Sequence, residues 1–84
     1  MSKSELPGSD LRLVFAANLR ELRRQRGLTQ NELAEKSGVG RIYVWQLEHC
    51  VYHASLKIIE RLAAALEVQP ADLLAPPKKI AKHK

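Results

Sequence analysis

Between residues 27 and 40 the chain is punctuated by glycines and by one capping motif. Gly27 fits the left-handed position that follows the last turn of a helix. TQNE, residues 29–32, is a capping box. In it the Thr29 side chain accepts an N-terminal N–H, and Glu32 reaches back to the N–H of Thr29. Gly38 stops the helix so begun, and Gly40 sits at or near the start of the next. Glycine there is a poorer cap than serine or threonine, though usable. Two short helices thus follow one another with only a few residues between them. That is the arrangement of a helix-turn-helix.

The flanking segments are also helical. A first helix is predicted from about Leu11 to Arg26, with Phe15, Leu19 and Leu22 recurring at helical spacing. In the second helix Leu33 and Ala34 point inward, and Ala34 is small enough for another helix to cross closely. A fourth helix follows Ser55 and runs to about Leu66. Its inner face is expected to hold Leu56, Ile59, Leu62, Ala63 and Leu66. A fifth lies within PADLLA, where Pro70 suits the first helical position and Asp72 the N-terminal end of the dipole. Pro76 and Pro77 end the compact part. No polar–apolar alternation lasts long enough for a strand, and there is no internal repeat. The organisation is therefore all-α. Residues 1–9 form a polar, disordered N-terminus, residues 10–75 the folded domain, and residues 76–84 a basic C-terminal tail.

Length and composition narrow the function. A chain of 84 residues is one domain. One cysteine, Cys50, makes no internal disulfide and fits a reducing compartment. No apolar run approaches the roughly 20 residues that cross a bilayer. MSKSELPGSD lacks the apolar segment of a secretion signal. The expected setting is cytoplasmic, with no membrane partner. Formal net charge is +5. PPKKIAKHK carries four lysines and no acid, whereas residues 10–75 hold nine basic against eight acidic side chains. A second basic cluster, RELRRQR, occupies residues 20–26. Such clusters favour polyanions through phosphate neutralisation and counterion release. No acid–base pair, activated nucleophile or metal-ligand spacing is present, so no enzyme activity, metal or cofactor is expected. One cysteine and three histidines (49, 53 and 83) make no recognised ligand set.

The words NLRELRRQRGLTQNELAEKSGVGRIYVWQLEH and SLKIIERLAAALEVQPADLL give this pattern a family likeness. A basic amphipathic helix ends in Gly-Leu. A Thr-Gln helix start, Glu-Leu-Ala, a Gly-Val turn and a helix ending in Gln-Leu-Glu follow. In order and spacing, about 60 of the 84 residues resemble the phage-repressor (Cro/C1, XRE-type) helix-turn-helix DNA-binding family. The resemblance implies a five-helix, lambda-repressor-like domain. It implies that Val44 and Leu47 pack inward on Leu33 and Ala34, with Val39 filling the turn and Tyr43 at the edge against helix 4. Arg41, Ile42, Trp45, Gln46 and His49 are then left outside, on the face that enters the major groove in relatives.

Residue roles follow from that likeness. Arg41, Ile42, Trp45 and Gln46 become the base-contacting set. Arg41 has the fork for guanine O6 and N7, Gln46 can pair with adenine or reach a phosphate, and Ile42 offers an apolar contact such as a thymine methyl. Gln30, at the first turn of helix 2, is implied to hold a backbone phosphate, as helix N-termini favour. Thr29, Arg20, Arg23 and His49 are further backbone candidates. Arg23 is implied to pair with Glu32, and Glu48 to bond with the loop leading to helix 4. The implied function is a sequence-specific transcriptional regulator binding palindromic double-stranded operator DNA as a homodimer, with half-sites about 34 Å apart. Val68, Pro70, Leu73 and Leu74 are the dimerisation candidates, although Leu73 or Leu74 can equally close the monomer core. Contact with RNA polymerase or another regulatory protein is a further expectation.

Three positions depart from the family pattern. Cys50 stands where glycine is usual after the recognition helix, and it either adopts another backbone path or turns inward. VYHAS replaces a basic, polar loop. Trp45 stands where a small or polar residue is common. They raise an alternative: a protein-docking or antagonist module using Ile42, Trp45, Val51 and Tyr52, since tryptophan and tyrosine are enriched at interface hot spots.

Overall fold

In a computed structural model of the chain, residues 10–76 are described. Both terminal expectations, for residues 1–9 and for the tail beyond Pro76, lie outside them. Five helices follow in order: α1 (Leu11–Gln25), α2 (Gln30–Ser37), α3 (Arg41–Glu48), α4 (Leu56–Leu66) and α5 (Pro70–Leu74). Among the described residues there is no strand, and no helix is long and apolar enough to cross a membrane.

Local chemistry sets each boundary. Asp10 caps α1 by accepting from the Arg12 N–H at 3.1 Å. The helix closes with Gly27 at φ 71°, where the Leu28 N–H bonds the Arg23 carbonyl at 3.1 Å and the Gly27 N–H bonds that of Arg24 at 2.9 Å. The capping box of α2 is complete: Glu32 N–H donates to Thr29 Oγ1 at 3.0 Å, and Thr29 N–H to Glu32 Oε1 at 2.8 Å. Gly38 ends α2 in the left-handed region. Ser55 caps α4 through the Ile58 N–H, and Asp72 accepts from the Gln69 N–H ahead of α5.

α1 lies against α3 and α5, α2 against α3 and α4, and α4 against α5. Phe15, Leu19, Leu33, Ala34, Val39, Val44, Leu47, Ile59, Leu62, Ala63, Leu66 and Leu73 form one continuous core. Tyr43 is half-buried against that core, and its hydroxyl donates to the His53 carbonyl at 3.2 Å. The expectation for Leu56 fails. It is 80% exposed, because it opens α4 ahead of the stripe formed by Ile59, Leu62, Ala63 and Leu66, and no neighbouring helix reaches its side chain.

Two polar clasps hold the short C-terminal elements. Asn18 Nδ2 donates to the carbonyls of Leu73 (2.9 Å) and Ala75 (2.7 Å), tying α5 to α1. Arg26 Nε donates to the Leu66 carbonyl at 2.7 Å, satisfying an acceptor that the end of α4 leaves open. Leu73, one of the dimerisation candidates, is 0% exposed. It closes the core of its own chain and leaves no surface for a second copy. Val68 and Leu74 are half-buried against the core, and Pro70 is exposed.

Candidate nucleic-acid interface

The turn between α2 and α3 sets how α3 is presented. Val39 is buried in it, and its N–H donates to Ser37 Oγ at 3.2 Å. α3 then buries Val44, Leu47 and Glu48. At 3.6 residues per turn Ile42 lies opposite this inward set and Trp45 to one side of it. Arg41, in the first turn, is exposed like both of them, with Gln46 half-buried beside them. His49 follows at the end of the helix and is exposed as well. The helix thus brings together the four side chains expected to meet bases.

Glu48 is the feature that sequence reasoning placed wrongly. It is 2% exposed and does not bond the loop that leads to α4. Its carboxylate takes a two-point ion pair from Arg23, Nε to Oε2 at 2.7 Å and Nη2 to Oε1 at 3.0 Å. Gln30 Nε2 adds a third bond to Oε1 at 3.0 Å, and Arg20 Nη1 donates to the Glu48 carbonyl at 3.1 Å. One buried acid therefore ties α1 and α2 to the end of α3. Burial alone would raise its pKa. The bonds from Arg23 and Gln30, with the charges of Arg23 and Arg20, outweigh burial and hold the carboxyl below its ordinary value. The same bond raises Arg23 above its own ordinary value.

The partner predicted for Arg23 is therefore corrected: Glu48 takes the place of Glu32, which serves the α2 cap. The third Arg23 nitrogen, Nη1, donates to the Leu28 carbonyl at 2.8 Å. All three guanidinium nitrogens bond inside the protein, and Nη1 and Nη2 each keep a second N–H. Gln30 is braced on Glu48 through one amide nitrogen and keeps its position at the open N-terminus of α2. Thr29 is exposed beside it, and Arg20 is half-buried with one nitrogen engaged.

Trp45 is not a free side chain. Its indole stacks on the His49 ring, with centroids 4.0 Å apart and planes 17° apart. His49 Nδ1 lies 2.8 Å from the Trp45 carbonyl. A carbonyl only accepts, so Nδ1 carries the proton in this arrangement. The four-residue spacing of Trp45 and His49 was the available signal, since side chains so spaced are neighbours on a helix.

Cys50 takes the glycine-like path, so the expected alternative of another backbone path does not hold, and its side chain turns partly inward. Its backbone is left-handed, at φ 59°. It ends α3 in a Schellman motif, with the Val51 N–H on the Gln46 carbonyl at 2.8 Å and the Cys50 N–H on that of Leu47 at 3.3 Å. Its thiol is half-buried and lies 3.7 Å from the Arg12 carbonyl. Tyr52 packs its ring edge-on to Tyr43, centroids 6.2 Å apart. Tyr43 and Trp45, two positions apart, point to opposite sides of α3. The aromatic side chains of Trp45 and Tyr52 flank the helix instead of forming a single docking patch.

The helix-turn-helix domain model matches residues 14–75. The hypothetical transcription factor NHTF from Neisseria has a crystal structure that is 40% identical in sequence. It aligns over 100% of this chain and 98% of its own, with a TM-score of 0.83. The restriction-modification controller protein C.AhdI from Aeromonas hydrophila is 42% identical over 74% of this chain and 94% of its own, with a TM-score of 0.72. The controller protein C.Esp1396I, solved as a tetramer in complex with its natural 35 base-pair operator, is 28% identical over 77% of this chain and 86% of its own, with a TM-score of 0.72.

Proposed function

Because the chain belongs to the helix-turn-helix domain family and is a DNA-binding transcriptional regulator, we propose that it reads palindromic operator DNA as a homodimer, with α3 in the major groove. The observation that carries this reading is the division of α3 into two sides. Val44, Leu47 and Glu48 are buried, while Arg41, Ile42 and Trp45 are exposed and Gln46 is half-buried beside them.

In this reading Arg41 offers a guanidinium fork to guanine, and Gln46 offers an amide to adenine or to a phosphate. Gln30, Thr29 and Arg20 hold the sugar–phosphate chain and fix the register of α3. The N–H groups at the first turn of α2 add partial positive charge toward the same backbone. Val68, Pro70 and Leu74 supply the contact between copies. The operator-bound tetramer of a related controller supports an oligomeric DNA-bound form.

Selection of binding sites from a random duplex pool tests the proposal. A palindromic consensus is expected. Arg41→Ala should relax one base pair per half-site at a cost of roughly 1–3 kcal/mol in discrimination. Failure of the folded protein to enrich any consensus would overturn the reading. The molar mass in solution tests the dimer separately.

A further inference from the structure

Ile42, Trp45 and His49 follow one another at spacings of three and four residues, so they form one stripe along α3. Ile42 is 66% exposed and Trp45 46% exposed. The stripe is apolar at Ile42, flat and aromatic at Trp45, and closed at its C-terminal end by the His49 ring. Among the described residues the indole N–H has no protein acceptor, and Ile42 has no polar atom to offer.

His49 holds the indole from two directions. Its ring lies against the indole face, and its Nδ1–H is anchored on the Trp45 carbonyl one turn below. The histidine ring thus cannot swing away without breaking its own bond. A large aromatic side chain free to change rotamer would lose that freedom on meeting DNA. Here the restriction is already in place before binding, which lowers the cost of association.

We propose that Ile42 and Trp45 form a preset apolar strip that selects thymine methyl groups in the operator half-site, and that His49 is the positioning residue that holds Trp45 in place. This inference rests on α3 occupying the major groove. There, the thymine C5-methyl is the apolar feature that the unmodified bases display. An apolar strip meeting the polar edge of guanine, cytosine or adenine would leave those donors and acceptors without water or partner. The strip therefore both attracts thymine and penalises the alternatives, beside the polar readout of Arg41 and Gln46.

The test uses the full chain and the consensus duplex from site selection, with each thymine replaced in turn by uracil, which differs by the one methyl group. At the thymines under the strip, wild-type affinity should fall about fourfold per replacement, the size expected for one buried methyl. Ile42→Ala and Trp45→Ala should each bind equally to thymine and uracil at one such position. Ile42 is too exposed for its truncation to unfold the domain, so that arm stands even if Trp45→Ala does not fold. His49→Ala should lose the uracil sensitivity at the Trp45 position although Trp45 is still present. His49→Phe, which keeps a stacking ring, should restore it. Trp45 is the chain's one tryptophan, so its fluorescence should change in His49→Ala and return toward wild type in His49→Phe. If Arg41→Ala relaxes a base pair but no uracil replacement weakens wild-type binding, the strip proposal is overturned and the placement of α3 survives. If Arg41→Ala changes nothing at any base pair, the placement of α3 fails first and takes the strip with it.

Discussion

Arg23 and Glu48, 25 positions apart, meet as a two-point ion pair beneath the end of α3, with heavy-atom distances of 2.7 and 3.0 Å. The carboxylate is almost wholly out of solvent. Removing one partner strands the other charge in the interior, which costs about 3–5 kcal/mol. Arg23→Met and Glu48→Leu should each lower unfolding stability by that order. The double variant should recover a good part of the loss, because two charges are then removed together. Urea unfolding of the four proteins measures the coupling. Independent, additive losses would show that the pair is not a unit.

Acid should act through the same pair. The Glu48 carboxyl titrates below its ordinary value of 4.5 in the folded protein. A carboxyl depressed by folding contributes stability above its unfolded value and loses that contribution as pH falls through the folded one. The stability gap between wild type and Glu48→Gln should therefore be full at about pH 6 and shrink steadily at pH values below about 4.5. Unfolding curves across that range check this. A gap that stays constant into strong acid would count against it.

Cys50 sits in a left-handed conformation that glycine adopts without penalty. Cys50→Gly should gain up to about 1 kcal/mol from relieved backbone strain, less whatever the half-buried thiol contributes by packing. Cys50→Val, β-branched at the same φ, should destabilise. Thermal unfolding separates the two. If Cys50→Gly is the less stable variant, thiol packing outweighs the strain.

Asn18 spans α1 and α5 with two bonds to backbone carbonyls. Asn18→Ala leaves both acceptors unpaired and should cost about 1–3 kcal/mol. Because α5 carries Pro70 and Leu74, the variant should also form dimers more weakly, measured by sedimentation at several concentrations. Unchanged self-association in a loosened α5 would place the contact between copies elsewhere.

How much of this was legible in the sequence depended on the range of the forces involved. All five helices were readable because their limits are local. Thr29 and Glu32 are three residues apart, Ser55 caps within its own turn, and Gly27 and Gly38 act where they stand. The inward set of α3 was readable from spacing together with the family likeness. The frame beneath α3 was not. Nothing near Glu48 announces that it is buried, and its partners come from α1 and from the start of α2. Leu56 fits the periodic stripe of α4 but sits where no other helix reaches. Periodicity reports which residues share a face and cannot report where the covering elements stop. Leu73 and Leu74 presented the same difficulty, and only the path of α5 buries the first completely.

The bonds of α3 are unevenly shared between its two sides, and that bears on how such a regulator changes over generations. The anchoring side depends on partners in α1 and α2, so it can vary only in concert with them. Arg41, Ile42 and Gln46 answer to no side chain elsewhere in the domain. They can be exchanged one at a time, and the protein can acquire a new operator without rebuilding its scaffold. Trp45 and His49 are the exception on that face. Bound to each other, they should be inherited, or replaced, as a pair.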